Sequence, residues 1–327
     1  MAEGGVLIIR FTYTGAEGEI IPREATHITV GGDVTFVREE AFADHPNIFE
    51  VIFHENVEKI EERAFWCCPR LKRVIMPGVK ILETNAFNNC PVLTDVECGK
   101  LEIIGTAAFG RCKSLRSIDL PSARIVEWGA FNTCESLVNA KFGTTLERFE
   151  KRAFSGCPSL GRITIPLKDG LITTDNIFAA CYNLKYVDLV EGELHKTVAA
   201  LQLEDWRNDM NEEIDSIKQI LPNARAGRWH DYDDGEKAIE IRRWIGSVLG
   251  KIDHYKAEHQ RVLNEATTLL ELAIWKANLD DTDESRILRE GVRTTRGSVK
   301  RARRELCVTS GANIVIKNVL PFLQLKS

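Results

Sequence analysis

No apolar stretch in this 327-residue sequence reaches the length of a membrane-spanning helix, which needs roughly 18 residues. The N-terminus has only a four-residue apolar run, Val6 to Ile9, with no basic region before it, so it does not predict a secretory signal. The sequence also contains no Asn-x-Ser/Thr glycosylation acceptor. We therefore expect a cytoplasmic protein that contacts no membrane, with a nuclear location as the alternative.

Motifs that carry chemistry are missing as well. The sequence has no GxGxxG, no P-loop, no HExxH and no GxSxG in a supporting context. We expect no catalytic residues, no cofactor and no metal, and hence a protein that is not an enzyme. The net charge of −5 gives no global signal for nucleic acid.

What the sequence does contain is an internal repeat. The segment AFSGCPSLGRITIP at 153–166 resembles AFWCCPRLKRVIMP at 64–77 and AFGRCKSLRSIDLP at 108–121. The same phenylalanine recurs every 22 to 24 residues in seven copies, at Phe42, Phe65, Phe87, Phe109, Phe131, Phe154 and Phe178. A period held this tightly is typical of a solenoid.

Cysteine also occupies a fixed position of the repeat. Six of the nine cysteines share it, and His45 replaces them in the first copy; they are Cys68, Cys90, Cys112, Cys134, Cys157 and Cys181. Equivalent residues of stacked turns lie about 4.8 Å apart, whereas a disulfide needs Cβ atoms about 3.8 Å apart. We interpret these thiols as small buried packing groups. Cys67 and Cys307 lie outside the column and are the candidates for a reactive thiol.

Each repeat also predicts a short strand, because its apolar residues alternate after the conserved leucine. We expect strands centred on Val51, Val74, Val96, Ile118, Ala140, Ile163 and Val187. The pattern AF..C..L..I..P over residues 25 to 190 resembles the BspA-type leucine-rich repeat family. The resemblance implies a curved solenoid that binds other macromolecules and has no activity of its own. Many members are cell-surface proteins, and this chain departs from them because it shows no signal or anchor.

The strand residues that point away from the core should form one continuous ladder. We expect a protein partner to bind this face, although an ordinary solvated surface explains the same pattern. The candidate binding residues are Glu50, Arg73, Asp95, Glu97, Asp119, Lys141, Arg162, Tyr186 and Asp188.

After residue 194 helical periodicity replaces the repeat. We predict helices at about Thr197–Leu221, Gly235–Leu279 and Asp283–Leu306, with Asp233 and Glu236 as a capping box. The second helix carries a heptad seam, at Ile241, Ile245, Val248, Ile252, Tyr255, His259, Val262, Ala266, Leu269 and Ala273. The seams predict either an intramolecular bundle or a homo-oligomeric coiled coil. This region is also similar to the C-terminal region of BspA-type repeat proteins of unicellular algae, on the segments NEEIDSIKQILPN (211–223), HYKAEHQRVLNEATTLLELAIWKA (254–277) and SGANIVIKNVLPFLQL (310–325).

A basic helix at 285–304 offers a second candidate surface. It contains eight basic residues and one acidic residue, and its stripe consists of Arg286, Arg289, Arg293, Arg296, Lys300 and Arg304. Such a stripe fits phosphate backbones or acidic proteins. The acidic segment 203–215 could instead neutralise it within the chain. No aromatic residue interleaves the stripe for base stacking, so we regard nucleic acid as the weaker alternative.

Together these patterns predict an α+β protein. Residues 1–194 would form a leucine-rich repeat solenoid with a parallel β ladder and an N-terminal cap. Residues 195–327 would form an all-α helical bundle or coiled-coil hairpin. We expect a protein-interaction scaffold or adaptor that binds its partner, of unknown identity, through the repeat strands.

Overall fold

The structure is a computed structural model, and it describes residues 8–190, 204–228 and 235–289. The chain divides into two compact units. The first comprises Met1–Gly192 with Glu213–Leu249, and the second comprises Glu193–Glu212 with Gly250–Ser327. The predicted domain boundary after residue 194 stays a prediction, although residues 213–249 group with the repeats.

The repeat region is a parallel-strand solenoid, as predicted. The strands of three or four residues form two sheets. The first, of five strands, consists of β1 (Arg10–Tyr13), β2 (His27–Val30), β4 (Glu50–Ile52), β6 (Arg73–Ile75) and β8 (Asp95–Glu97). The second, of four strands, consists of β10 (Ser117–Leu120), β12 (Asn139–Phe142), β14 (Arg162–Ile165) and β15 (Tyr186–Leu189). All neighbours within each sheet run parallel, because each turn of the chain repeats the direction of the last.

A further sheet of six two-residue strands runs along another side of the same repeats. Its members are β3 (Phe36–Val37), β5 (Lys59–Ile60), β7 (Ile81–Leu82), β9 (Ile103–Ile104), β11 (Ile125–Val126) and β13 (Arg148–Phe149). The second residue of each strand is fully buried. These inward residues precede the conserved phenylalanines by five positions, and the ring of Phe149 lies 5.5 Å from that of Phe154.

The core is a stack of equivalent side chains. Successive phenylalanines from Phe42 to Phe178 have ring centroids 4.6 to 5.8 Å apart and nearly parallel planes. The packing role predicted for the cysteines is confirmed, because the six column thiols are buried and free. Each Sγ–H donates to the carbonyl of a phenylalanine in the preceding repeat at 3.0 to 3.2 Å. Each column thiol therefore finds its hydrogen-bond acceptor in the preceding repeat and not in its own.

His45 takes the cysteine position in the first repeat. Its Nε2 lies 3.0 Å from the carbonyl oxygen of Pro22, and its side chain is buried. Burial lowers the pKa of His45, an effect that the Pro22 carbonyl partly opposes. A neutral imidazole can therefore occupy, at the start of the column, the position that a cysteine thiol holds in the later repeats.

At the other end, residues from the helical region close the last repeat. The backbone N–H of Ala180 donates to the carbonyl of Ala226 at 3.0 Å, in the position that a further repeat would occupy. The Nζ of Lys237, which is buried, donates to the carbonyl of Leu184. Arg242 Nε donates to the carbonyl of Ile172 at 3.0 Å. These contacts lie within the first compact unit and cap the polar groups of the final turn.

Among the described residues, two α-helices follow the repeats. Helix α1 spans Glu204–Ile220, and a 3-10 turn at Leu221–Asn223 follows it. Helix α2 spans Glu236–Arg289 without interruption. The predicted start of a third helix at Asp283 is therefore wrong. The segment 277–289 contains neither glycine nor proline, so nothing in it ends the preceding helix.

Several helical predictions lie outside the described residues, namely 197–203, Asp233 and the chain after Arg289. Glu236 is described, and its Oε2 accepts a hydrogen bond from the backbone N–H of Arg225 at 2.8 Å. The early seam of α2, from Ile241 to Ile252, is buried, whereas Leu269 is exposed. Among the described residues, neither helix combines the length and apolar character that crossing a membrane requires.

Candidate protein-binding face

The candidate face consists of the outward residues of the five-stranded and four-stranded sheets. Alternation along most strands places Val51, Val74 and their equivalents in the core and leaves the residues on either side outside, although Val96 of β8 is only partly buried. The pairing register aligns Glu50 with Arg73 and Arg73 with Asp95. It likewise aligns Asp119 with Lys141, and Arg162 with Tyr186. All nine candidate residues predicted from the sequence lie on strands of this face.

The expected continuous ladder is, however, interrupted. Strands β8 and β10 are not paired, so the face consists of two ladders rather than one. In most repeats the two amides at the strand entry donate to the preceding repeat, as Thr94 and Asp95 do to the carbonyl of Lys72. Within the described part of the chain, Arg116 and Ser117 have no such backbone partner. The interruption coincides with Cys98, which replaces the larger Met76 or Leu120 of neighbouring repeats at an inward position.

In the five-stranded half, opposite charges neutralise one another. Arg73 donates to Glu50 at 3.3 Å and to Glu97 at 3.0 Å. The Glu97 carboxylate raises the pKa of Arg73, and the cation therefore stays charged. Because Arg73 and Glu97 are open to solvent, their pair fixes side-chain positions more than it stabilises the fold.

In the four-stranded half, Arg162 has both a carboxylate and an aromatic partner. Its Nη1 donates to Asp188 at 2.5 Å, and its guanidinium lies 4.7 Å from the ring centroid of Tyr186. Lys141 is exposed and lies in no ion pair among the described residues, although Asp119 is its register partner. Tyr186 is 47% exposed, so the ring remains open to a partner on its outer side.

Sequence reasoning missed the residue that immediately precedes each strand. This entry column is defined by Phe49, Lys72, Thr94, Arg116, Val138, Gly161 and Lys185, which directly follow the conserved leucine or Ile48. The backbone stacks them from repeat to repeat, since Val138 N–H donates to Arg116 and Lys185 N–H donates to Gly161. Lys72, Arg116, Val138 and Lys185 are exposed. Their fixed offset from the leucine is the signal that could have identified them.

The outward row of the six-stranded sheet was also missed. It carries Ile81, Ile103 and Ile125 in adjacent strands, each partly exposed, between Lys59 and Arg148. An apolar residue six positions before the conserved phenylalanine recurs in these three repeats. This row is a second, more apolar surface of the same repeats.

The cysteines supply no reactive site within the column. Burial raises the pKa of Cys112 to about 12, and it also raises the pKa of Cys134, Cys157 and Cys181. Cys67, in contrast, is partly exposed, and its Sγ accepts a hydrogen bond from Asn89 Nδ2 at 3.1 Å. Within residues 8–190, 204–228 and 235–289, no three potential ligands converge as a metal ion would need. Cys307 lies outside the described residues.

Only the beginning of the predicted basic stripe is described. Arg286 and Arg289 lie in the last turns of α2, and the other four members lie outside the described residues. The acidic segment contributes Asp209, which accepts hydrogen bonds from Lys251 at 2.8 Å and from Tyr255 at 2.5 Å. Trp206 stacks on Tyr255 with centroids 5.1 Å apart. These contacts join α1 to α2 in the second unit.

A parallel solenoid with one phenylalanine, one buried thiol and one conserved leucine per turn defines a leucine-rich repeat protein. The profile of the BspA type leucine-rich repeat region matches residues 23–127 and 102–198 in six copies, more than half of the chain. The chain therefore belongs to the BspA-type leucine-rich repeat family. Among curated proteins, none matches the sequence.

Solved structures of bacterial leucine-rich repeat proteins are similar to part of this chain. A leucine-rich repeat protein of T. pallidum is 24% identical over 43% of this chain and 69% of its own, with a TM-score of 0.39. One from Bacteroides ovatus is 19% identical over 52% of this chain and 53% of its own, with a TM-score of 0.37. A leucine-rich cell surface protein of Faecalibacterium prausnitzii is 26% identical over 56% of this chain and 48% of its own, with a TM-score of 0.42. The chain thus spans about half the length of the last two.

Proposed function

We propose that this protein is a non-enzymatic interaction scaffold that binds a protein partner through the outward face of its repeat strands. The observation that carries the proposal is the set of exposed charged and aromatic side chains on two ladders of short parallel strands, each ladder with its own fixed register. Such a surface presents many side chains in fixed positions, which lowers the conformational entropy lost on binding. Extended faces of solenoids are commonly used in this way.

The charges of this face are arranged for recognition rather than for catalysis. Arg73 and Arg162 are held by carboxylates on neighbouring strands, so they act as positioned charges. Family membership supports the same role, since leucine-rich repeat proteins are typically scaffolds. The proposed location is the cytoplasm, which suits the eight free cysteines of the described residues.

The alternative is binding of nucleic acid or of an acidic protein through the basic helix 285–304. Its support is the sequence pattern, together with the continuation of α2 through Arg286 and Arg289. This surface stays a prediction. Nucleic-acid binding through this helix would weaken with rising salt, with a slope set by the number of phosphate contacts.

The test begins by cross-linking the full chain to partners in a lysate of its source organism and identifying them by mass spectrometry. Each purified partner is then titrated against the full chain and two variants. The face variant is Lys141→Ala with Tyr186→Ala. The control variant, Arg111→Ala with Trp128→Ala, removes the same chemical types from exposed positions outside the strand face.

We expect the face variant to weaken binding about tenfold or more, because truncating a tyrosine that acts as an interface hot spot commonly costs over 1 kcal/mol. The control variant should bind like the unaltered chain. If both variants bind every partner as tightly as the unaltered chain, the strand face is not the binding surface. Circular dichroism melting of each variant verifies that the repeats remain folded.

A further inference from the structure

The two halves of the strand face differ in their balance of charge. In the five-stranded half, basic and acidic side chains are equal in number: Arg73 is paired with Glu50 and Glu97, whereas Arg10 and Lys72 are exposed and lie in no ion pair among the described residues. In the four-stranded half, Arg116, Lys141 and Lys185 are all exposed and lie in no ion pair among the described residues. The interruption between β8 and β10 falls at the boundary between these halves.

The composition of the four-stranded half adds to this difference. With its entry column, this half presents four basic and two acidic residues, namely Arg116, Lys141, Arg162, Lys185, Asp119 and Asp188. Asp188 is already paired with Arg162. The chain as a whole carries a net charge of −5, so a basic surface on it is a local feature rather than a reflection of composition.

Apolar groups accompany the unpaired cations. Val138 is 44% exposed in the entry column, between Arg116 and Gly161. Tyr186 is 47% exposed at the far end of the same sheet, where Arg162 covers one side of its ring. Gly161 leaves the column between Val138 and Lys185 without a side chain, so a partner backbone can approach there.

We propose that the four-stranded half, from Arg116 to Lys185, binds an acidic, extended segment of a partner protein. This inference rests on the proposed scaffold function and names the partner's chemistry. Three strand spacings separate Arg116 from Lys185, about 14 Å at about 4.8 Å per strand. About four residues of an extended peptide cover that distance, at roughly 3.4 Å per residue. Carboxylates at alternate positions of the segment would meet Arg116, Lys141 and Lys185, and an apolar side chain would meet Val138 or Tyr186.

The physical reason is charge complementarity without competing internal pairs. An exposed cation that already has a carboxylate partner gains little from a second one, whereas an unpaired cation gains the whole attraction. Attraction between exposed charges is screened within about 8 to 10 Å at physiological salt, so the effect should be local to this half.

The test uses the full chain and a fluorescent ten-residue peptide of alternating glutamate and tyrosine. Its lysine–tyrosine counterpart and a single-stranded DNA oligonucleotide of equal charge serve as comparison probes. The charge-reversed variant is Lys141→Glu with Lys185→Glu. The matched control is Arg10→Glu with Lys72→Glu, which reverses two exposed cations of the five-stranded half.

We expect the acidic peptide to bind the unaltered chain, to bind the charge-reversed variant at least tenfold more weakly, and to bind the control variant unchanged. Raising the salt concentration should weaken binding to the unaltered chain. Equal loss in both variants would overturn the proposal, because the attraction would then be diffuse. Two other results would also overturn the proposal. One is that the lysine–tyrosine peptide binds the unaltered chain as tightly as the acidic peptide does. The other is that the oligonucleotide binds more tightly than the acidic peptide and the charge-reversed variant loses that binding.

Failure of this inference is distinguishable from failure of the scaffold function. If an identified partner is lost with Lys141→Ala and Tyr186→Ala but is retained by the charge-reversed variant, the face binds proteins without selecting acidic ones. If the partner is retained by all variants, the scaffold function itself fails.

Discussion

At the scale of single residues, Gly143 lies in very close contact with the neighbouring repeat. A Cβ atom at this position would lie 1.9 Å from the carbonyl oxygen of Pro121, far inside contact distance. We predict that Gly143→Ala lowers the free energy of unfolding by about 1–3 kcal/mol, the usual cost of overpacking a region that cannot relax freely. Chemical denaturation monitored by circular dichroism measures the change.

Gly99 provides the matched control. It occupies the same position in another repeat, three residues after the inward strand residue, yet a Cβ atom added there would meet nothing within 4 Å. Gly99→Ala should leave the stability unchanged or raise it by up to about 1 kcal/mol through the unfolded chain. Equal effects of the two substitutions would show that the close contact with Pro121 is not maintained.

The sequence predicted single residues well where one repeat position has one role. The conserved phenylalanines and Cys112 are buried as expected, because their neighbours in every repeat present the same cavity. It could not predict which charges pair, since Arg73 has Glu50 and Glu97 on either side while Lys141 pairs with no carboxylate among the described residues. That difference depends on side-chain reach across strands, which a one-dimensional pattern does not contain.

At the scale of elements, the cysteine column makes the solenoid sensitive to alkaline pH. Burial holds the pKa of Cys112 at about 12, against 9.0 for an unburied thiol, and raises the pKa of Cys157 and Cys181 as well. A raised pKa means that the folded state favours the protonated thiol. The contribution of such a thiol to the free energy of unfolding is complete below pH 9. It is lost as the pH rises from 9 toward 12, by about 1.4 kcal/mol per pH unit for each thiol.

Urea unfolding at pH 8 and pH 10.5 measures this dependence. We predict that the unaltered chain loses more stability over this interval than Cys112→Ala, because the variant has one thiol fewer to ionise in the unfolded state. Other titrating groups are common to both proteins and cancel in the comparison. Identical losses in the two proteins would contradict the role of the column.

The interruption between β8 and β10 makes a separate prediction about backbone protection. Among the described residues, the amides of Arg116 and Ser117 have no backbone acceptor, whereas those of Val138 and Asn139 donate to the carbonyl of Arg116. We expect the peptide containing Arg116 and Ser117 to exchange hydrogen for deuterium faster than the peptide containing Val138 and Asn139. Mass spectrometry of native-state exchange reads both segments in one experiment. Equal protection would mean that the two sheets are joined in solution.

The sequence predicted the strands centred on Val51 to Val187, but not the six-stranded sheet or the break between β8 and β10. The strands centred on Val51 to Val187 have enough alternating residues to be recognised. The six-stranded sheet has strands of only two residues, such as Ile103–Ile104, too short for a period-two pattern to appear. The break after β8 is also invisible, because Val96 and Ile118 keep the apolar pattern on both sides. The predicted end of the second helix at about Leu279 was wrong, because that helix continues to Arg289.

At the scale of the whole molecule, the stability of the stacked repeats depends on the residues that cover the end of the stack. Each internal turn satisfies its polar groups on the next one, as Gly156 does on Ala179. The final turn instead uses Ala226 and Lys237, which come from beyond the repeats. Lys237 is buried, and burial lowers its pKa, so its position is stabilised by the Leu184 carbonyl rather than by solvent.

These contacts predict different behaviour for two shortened chains. A chain of residues 1–249 keeps the whole first unit, whereas a chain of residues 1–195 loses the cap and exposes the buried side chains of the last repeat, including Cys181 and Leu184. We expect 1–249 to be monomeric with a cooperative thermal transition. The 1–195 chain should melt at a lower temperature or aggregate, because terminal repeats without a polar cap are insoluble. Light scattering and differential scanning calorimetry on both chains measure aggregation and melting temperature. Equal melting temperatures would place the domain boundary at residue 194. Unequal melting temperatures would assign residues 213–249 to the solenoid.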